Sequence, residues 1–296
     1  MPYWGESWSL ISAVLWAIAV VLFRLAVKGI PPIEMSLLKN TFALILFVAT
    51  WLLFQGQEVE INLSTQDHLV LIFAGGIGIA LGDTLFMYAL NTLGAGRNAI
   101  LSCLFSPFVI LLSILFLNEK FSIFQALGFL LILSGVLLAV YQKSSDTLSK
   151  RNRIIGTIVG ISAVFCMASG MVITKPILNE APPVYVSCFR LAGGVLGVAL
   201  FAIVSGRIKT SIRIFKGPLP WKIMFLGAFI GTYLALFTWI VGFKHTSASV
   251  ASILNQTAVF FILILAVPIL KERLSPMKVV GASLGFLGVT LILYHA

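Results

Sequence analysis

Three charged side chains, Lys39, Asp83 and Arg190, lie inside long apolar stretches and are the first candidates for chemistry. An ionised group in hydrocarbon costs about 2.5 to 3.5 kcal/mol on insertion scales, so it pairs, faces a cavity or titrates. Asp83, inside the apolar run 75–90, is therefore the leading functional candidate. The alternative is a structural ion pair that fixes helix register, and both interpretations stay open at this stage.

Helical rise relates sequence position to depth in a membrane. At about 1.5 Å per residue, Lys39 in the second predicted helix and Asp83 in the third lie at similar depths. Because pairing is the usual way to stabilise an intramembrane charge, we predict a Lys39–Asp83 pair, or a cavity that both face. Asp83 is then a candidate gate or proton relay.

Arg190 has no comparable acid. It occupies the position equivalent to Lys39 in the second half of the chain, and the position equivalent to Asp83 there is Leu236. A guanidinium beside amide and phenol groups suits a substrate carboxylate or phosphate. The alternatives are hydrogen bonds to backbone carbonyls at the turn between helices 6 and 7, or a pair with Glu180.

Polar and aromatic side chains at similar depth complete the candidate site. Aromatic residues in membrane helices also serve as packing and interface anchors, and that alternative is kept for Trp16, Phe86, Tyr88 and Trp239. The predicted substrate-binding or coupling residues are Lys39, Asp83, Tyr88, Arg190, Tyr233, Trp239, Asn255 and Gln256.

The composition identifies the elements that position these residues. The 296 residues are 59% hydrophobic and 10% charged, against about 25% charged in soluble domains. Arg97 and Glu119 enclose 21 uncharged residues, about the length that crosses a bilayer. The net charge of +10 lies mainly in short loops, where membrane topology explains it, so we expect no nucleic-acid binding.

Apolar runs and Gly/Pro punctuation predict an all-α integral membrane protein with ten transmembrane helices. A polar segment, 142–153, separates a first five-helix repeat, 1–141, from a second, 154–296. The predicted helices are 8–28, 33–54, 68–90, 97–117, 122–141, 154–175, 183–205, 221–243, 247–270 and 276–294.

The two halves repeat one another. Pro31-Pro32 recurs as Pro182-Pro183, and Glu119-Lys120 recurs as Glu272-Arg273, with glycines following at matching positions. Because each copy has an odd number of helices, tandem copies cross the membrane in opposite senses. Inverted repeats are typical of secondary transporters, whose site lies between the halves near the midplane. We interpret Glu119 and Glu272 as interfacial turn residues.

Loop charges predict the orientation. Lys and Arg are concentrated in the segments after helices 1, 3, 5, 7 and 9. The positive-inside rule then puts the linker 142–153 in the cytoplasm and both termini outside. We expect a multi-pass protein of the cell (inner or plasma) membrane.

The residues do not favour an enzyme. Cys103, Cys166 and Cys188 lie singly in apolar runs, and the histidines are scattered with no HExxH or Cys/His cluster. Leu81-Gly82-Asp83 lacks the first glycine of the GxGD motif of intramembrane aspartyl proteases, and there is no Gly-x4-Gly-Lys-Ser/Thr loop. We therefore predict no catalytic residues, no metal site and no cofactor.

The whole pattern resembles a known family. Ten helices in two repeats, the Pro-Pro entries, and Leu-Asn-Glu-Lys-Phe and Leu-Lys-Glu-Arg-Leu, each followed by a glycine-containing helix, are similar to the EamA family of the drug/metabolite transporter superfamily. The resemblance implies a secondary transporter, often an exporter of amino acids or other small metabolites, with helices 5 and 10 peripheral to a central cavity. Family members often keep both termini in the cytoplasm, the reverse of the charge count here.

We therefore predict a transporter of small polar metabolites, amino-acid or organic-anion-like, that exports by alternating access. The expected partners are a small-molecule substrate, membrane lipid, protons as candidate coupling ion and a second copy as candidate homodimer. The alternative function is a lipid or lipid-linked-sugar flippase or scramblase that uses the same cavity. A cavity open sideways to lipid would favour that alternative.

Overall fold

A computed structural model describes residues 3–26, 30–55, 62–93, 98, 101–140, 149–270 and 276–294. These residues form helices and the turns between them. The helices are α1 (Trp4–Ala26), α2 (Pro32–Thr50), α3 (Thr65–Leu93), α4 (Phe105–Leu117), α5 (Ile123–Val140), α6 (Lys150–Glu180), α7 (Pro183–Val204), α8 (Ile208–Phe215), α9 (Trp221–His245), α10 (Ala248–Asn255), α11 (Ala258–Leu270) and α12 (Pro276–Tyr294).

Length and apolar composition make this a multi-pass membrane protein. Six helices are long and apolar enough to cross a bilayer, namely α1, α2, α3, α6, α7 and α9. Shorter apolar helices cover Phe105–Leu117, Ile123–Gly135 and Ala248–Ile262. At about 1.5 Å per residue, the 31 residues of α6 span well over the 30 Å hydrocarbon core, so this helix is longer than the predicted 154–175.

Sequence signals at the helix starts act as expected. Pro32 and Pro183 open α2 and α7, where proline's missing N–H removes no helical bond. Ser64 and Asp67 form a capping box at the start of α3. A second capping box starts α5, where Ser122 N donates to Gln125 Oε1 at 2.9 Å and Gln125 N donates to Ser122 Oγ at 3.1 Å.

The helices alternate in direction between two ends of the bundle, which we call the terminal face and the linker face. At the terminal face, where α1 begins, the Thr246 hydroxyl after α9 donates to Glu6 in α1 at 2.6 Å. At the same face, His68 near the start of α3 bonds to Tyr185 near the start of α7 at 2.8 Å. At the linker face, where α6 begins, Ser211 in α8 donates to Glu34 in α2 at 3.0 Å.

Helices α5 and α12 pack as an antiparallel pair through glycines. A Cβ added at Gly135 would collide with the Gly281 carbonyl oxygen, and one added at Gly288 would approach the Gly128 carbonyl oxygen. Gly128 and Gly281 are equivalent in the repeat, as are Gly135 and Gly288, so the contacts exchange partners. Equivalent helices therefore meet around a local two-fold relation.

The third helix of each half is widened at equivalent positions. A π-helical stretch covers Gly76–Asp83 in α3, and another covers Ala228–Ala235 in α9, at an offset of 152 residues from 76 to 228. By this offset, the position equivalent to Asp83 is Ala235 rather than the predicted Leu236. Both are apolar, so Asp83 still has no equivalent acid.

The fourth helix of each half is broken, which corrects the continuous helices predicted over 97–117 and 247–270. Tight turns close at Leu104, whose N–H bonds to Leu101, and at Thr257, whose N–H bonds to Leu254. In the first half, Pro107 has no N–H for the carbonyl four residues earlier. In the second half, the Thr257 hydroxyl donates to the Leu254 carbonyl oxygen at 2.7 Å. This bond competes with the backbone N–H that would bind the same carbonyl in a continuous helix.

Two further features bear on the predictions. The short helix α8 lies in the loop between the predicted seventh and eighth helices and was not predicted. Glu272, Arg273 and linker residues 142–148 lie outside the described residues, so the prediction for Glu272 and most of the linker is not examined by the structure.

Helices α3 and α7 approach closely at glycines, and a matched substitution pair tests this packing. A Cβ at Gly75 would collide with the Arg190 carbonyl, whereas a Cβ at Gly76 meets nothing within 4 Å. We expect Gly75→Ala to destabilise the protein by about 1 to 3 kcal/mol through overpacking. Gly76→Ala should leave stability unchanged or raise it slightly. Thermal unfolding in detergent gives both values, and equal effects would contradict this packing.

Candidate substrate site in the central cavity

A cavity of about 270 Å³ lies at the centre of the bundle. Its described lining comes from both halves, and α5 and α12 contribute none of it, as the peripheral position implied by the family resemblance requires. The polar and charged lining residues are Ser12, Lys39, Asn40, Asp83, Asn98, Ser102, Arg190, Thr232, Asn255 and Gln256.

The predicted Lys39–Asp83 pair is present on the cavity wall. Lys39 Nζ lies 2.5 Å from Asp83 Oδ2, and the two residues are only 4% and 5% exposed. A buried ion pair needs further hydrogen bonds to offset desolvation. The agreement of the two depths, estimated from helical rise, therefore identified a real contact.

Two neighbours on α2 complete this pair. Asn40 Nδ2 donates to Asp83 Oδ2 at 3.1 Å, and the Ser36 hydroxyl donates to the same oxygen at 3.4 Å. Lys39 Nζ also donates to Asn40 Oδ1 at 3.2 Å. Ser36, Lys39 and Asn40 follow the i, i+3, i+4 spacing of one helix face. Asn40 and Ser36 were missed in the sequence, although that spacing could have identified them.

Arg190 is a buried cation that has no counter-ion among the residues that the structure describes. The residue is 3% exposed, and its Nε and Nη1 atoms are buried and have no hydrogen-bond partner within the described residues. Glu180 is exposed at the terminal end of α6. Neither structural alternative for Arg190, carbonyl bonding or a Glu180 pair, is seen in the described part of the chain. Arg190 is instead one of the residues that line the cavity.

The amides predicted near Arg190 lie at the broken helix between α10 and α11 and line the cavity. Asn255 Nδ2 donates to the Ser12 hydroxyl at 3.3 Å. Gln256 Nε2 donates to the Ser102 and Cys103 carbonyls at 3.0 and 3.3 Å. The Cys103 carbonyl is the one that Pro107 leaves without a helical donor. Gln256 thus stabilises the break in the opposite half.

Tyr233 is not part of the cavity wall, contrary to its predicted place beside Arg190. Its hydroxyl lies 2.6 Å from the Thr50 hydroxyl in α2. Its ring packs edge-on against Phe47, with the centroids 4.9 Å apart. The side chain therefore joins α9 to α2 outside the cavity.

Of the four aromatic residues predicted near the site, three lie on helix faces that line the cavity and one does not. Trp16, Phe86 and Trp239 line the cavity, and Trp239 packs edge-on against Phe105 with centroids 6.1 Å apart. Tyr88 is 44% exposed and lies outside the lining, which corrects its predicted place. On α3 the cavity-lining residues are Gly78, Ile79, Asp83, Phe86, Met87 and Leu90, and the last four follow the spacing of one helix face. Tyr88 is two residues from Phe86 and Leu90, so it points away.

A network of caps joins helix ends at the terminal face. Lys175, at the end of α6, donates to the Phe243 carbonyl and to the Thr246 carbonyl, the latter at 2.8 Å. Lys244, at the end of α9, donates back to the Ala181 carbonyl at 2.7 Å. The two lysines thus bind carbonyls at each other's helix ends, where a cation is favoured.

Glu119 adds a cap that crosses between the halves. Its carboxylate accepts from Ala248 N at 2.7 Å, Ser249 N at 3.1 Å and the Ser249 hydroxyl at 2.8 Å. A carboxylate on the first amides of a helix satisfies donors that lack helical partners. Glu119 therefore lies in a turn, as predicted, and also fastens the first half to the start of α10.

The opposite end of the cavity carries no such network among its described lining residues. Phe23, Leu90 and Asn98 lie near the linker-face ends of their helices and line the cavity. The lining therefore extends from the middle of the bundle toward the linker face. Caps thus join the helix ends at the terminal face, whereas the cavity lining extends toward the linker face.

Comparison with known proteins gives the family. The pattern of the EamA-like transporter family matches residues 3–141 and again residues 154–294, so it recognises both halves. A solved structure described only as "Crystal structure of protein" is 17% identical, with a TM-score of 0.77 over 99% of each chain, which shows the shared fold. No curated protein matches the sequence significantly. The chain belongs to the EamA-like transporter family and is a membrane transport protein of the drug/metabolite transporter type.

Proposed function

We propose that this protein is a secondary transporter that moves small, negatively charged organic solutes by alternating access of two inverted five-helix repeats. The observation that carries the proposal is Arg190, which lines a cavity between the halves and whose Nε and Nη1 atoms have no partner among the described residues. In this proposal α10 and α11 together form one crossing, and the chain crosses the membrane ten times.

The irregular helices support a transport site at the cavity. The π-helical parts of α3 and α9 and the breaks beside α4 and α10 all contribute lining residues. Discontinuous helices near the midplane are typical of secondary transporters, because their free backbone groups contact substrate and coupling ions. π-Helical turns are likewise frequent at functional sites. The four irregularities occur in equivalent pairs, one from each half.

The direction in which the cavity extends indicates which conformational state of the transport cycle the structure represents. Capping by Glu119, Lys175 and Lys244 seals the terminal face, while the lining extends toward the linker face. If the positive-inside rule holds, the linker face is cytoplasmic and this is the inward-facing state of a cell-membrane protein. Loading a substrate from the cytoplasm fits an exporter. The opposite orientation, frequent in the family, would make the same state outward-facing.

Proton coupling is assigned to Asp83. It is the described carboxylate on the cavity wall, and it is bound to Lys39 in the state seen here. A proton that moved onto Asp83 would remove its attraction for Lys39 and free α2 from α3. That change couples protonation to helix movement without a second acid.

Gating can be tested through the terminal seal. In a chain with Cys103, Cys166 and Cys188 replaced by alanine, Leu90→Cys should react with a membrane-impermeant maleimide from the linker face. Glu119→Ala removes a helix cap worth about 1 to 2 kcal/mol. We expect it to shift the equilibrium roughly 5- to 30-fold toward the opposite state and to slow that labelling.

Glu180→Ala is the matched control for this test, because Glu180 is an exposed glutamate of the same face. It should leave the labelling rate unchanged. Labelling from both faces at one rate, or a Glu119→Ala rate equal to the control, would contradict a gate at the terminal face. Thermal unfolding checks that each variant is folded.

A mutant cycle on Lys39 and Asp83 separates a coupling role from a structural one. Lys39→Met or Asp83→Asn alone leaves a buried charge unpaired and should cost about 3 to 5 kcal/mol of stability. The double variant should regain most of that stability. If Asp83 carries the proton, the double variant still lacks proton-driven flux in liposomes.

Lys209→Met, at an exposed lysine of α8, serves as the control and should change neither stability nor flux. Wild-type proton-driven flux from the double variant would show that the pair is structural only. Movement of a labelled phospholipid in place of soluble anions would instead support the flippase alternative.

A further inference from the structure

We propose that the cavity selects a monoanionic carboxylate with an apolar, ring-sized body, and that it discriminates against the corresponding zwitterionic amino acid. This inference rests on the proposed transport function for its biological role, but it concerns what the site binds. It narrows the substrate from small polar metabolites to one charge type.

Charge balance on the cavity wall is the first argument. The charged groups among its described lining residues are Lys39, Asp83 and Arg190. Lys39 and Asp83 compensate each other at 2.5 Å, so the remaining charge is the single cation of Arg190. One negative charge on the ligand neutralises the cavity. A net-neutral zwitterion leaves it positive, and a cation adds repulsion.

The second argument is the geometry of Arg190. A guanidinium presents N–H groups in a planar fork that matches the two oxygens of a carboxylate. Nε and Nη1 belong to the two different edges of that fork, each of which is completed by Nη2, and both atoms are buried without a partner within the described residues. A buried charged donor that lacks an acceptor is costly, so a ligand that supplies the acceptor gains that free energy on binding.

The third argument is that the one carboxylate among the described lining residues, Asp83, is already paired with a cation. Asp83 Oδ2 already accepts from Lys39, Asn40 and Ser36. An incoming α-ammonium would have to share Asp83 with Lys39 and would place two cations side by side. Asn255 and Gln256 offer only neutral amide oxygens. Desolvation of the ammonium is therefore poorly offset, which makes the amino group a handicap.

The remaining wall suits an apolar body. Trp16, Phe23, Phe86, Phe105 and Trp239 contribute rings, and the methionines and aliphatic residues fill the space between them. The cavity of about 270 Å³ exceeds the roughly 150 Å³ apolar cavity that holds benzene in an engineered protein. A phenyl ring with a short carboxylate chain therefore fits.

Calorimetric titration of the purified chain in detergent tests the selection with three ligands that share one ring. The probes are 3-phenylpropanoate, phenylalanine and 2-phenylethylamine. Charge-assisted hydrogen bonds of about 1.5 to 3 kcal/mol predict that 3-phenylpropanoate binds roughly 10- to 100-fold more tightly than phenylalanine. We expect 2-phenylethylamine not to bind.

The variants assign the preference to one side chain. Arg190→Gln should remove the advantage of the carboxylate, and Arg190→Lys, which keeps the charge and loses the fork, should retain part of it. Arg213→Gln, at an exposed arginine of α8, is the matched control and should bind as wild type. If Arg190→Gln does not fold, the partial loss in Arg190→Lys carries the test.

Several results would overturn the inference. They are equal or tighter binding of phenylalanine, a preference that survives Arg190→Gln, or no binding of any probe at millimolar concentration. Counterflow in liposomes keeps the two proposals distinct. Selective carboxylate binding without flux contradicts the transporter proposal alone, whereas flux that favours phenylalanine contradicts the selection alone.

Discussion

The structure depends on how three charges are accommodated in an apolar bundle. Each of Lys39, Asp83 and Arg190 is at most 5% exposed, so bulk water contributes little to their solvation. Lys39 and Asp83 form an ion pair, and Asn40 and Ser36 donate hydrogen bonds to the same carboxylate oxygen of Asp83. Arg190 forms no ion pair within the described residues. The pair holds α2 against α3, and the unpaired cation gives the cavity its chemistry.

The backbones of the two halves are nearly symmetric, although their buried charges are not. The π-helical stretches of α3 and α9, the helix breaks and the antiparallel glycine contacts of α5 and α12 occur in equivalent pairs. At the positions equivalent to Lys39 and Asp83, the second half has Arg190 and Ala235. Two similar scaffolds can therefore exchange roles during transport, while the charged site itself is made once. In this account the symmetric backbone features allow the helices to move, and the charges present in only one copy bind the substrate.

The sequence was sufficient for the features that depend on composition and helical periodicity. Sparse charges and the repeated Pro-Pro and Glu motifs gave the helical membrane architecture and its two halves, and the rise per residue was enough to predict the Lys39–Asp83 contact. The caps made by Glu119, Lys175 and Lys244 could not be predicted, because they join helix ends far apart in the chain.

Side-chain direction and local backbone irregularity were harder to predict. The helix break near Gln256 contains no proline, so the sequence pattern contained no signal for it. The π-helical stretches also change which residues share a helix face. Tyr88 and Tyr233 were placed by depth alone, and both point away from the cavity. Depth follows from counting residues, whereas rotation about the helix axis depends on packing that a sequence pattern does not record.

The most direct measurement is an experimental structure with 3-phenylpropanoate bound. The account predicts the ligand carboxylate within about 3 Å of the Arg190 guanidinium, its ring against Trp16, Phe105 or Trp239, and the Lys39–Asp83 pair intact. A carboxylate bound to Lys39 with Asp83 displaced, or a ligand outside the cavity with Arg190 still unpartnered, would contradict it.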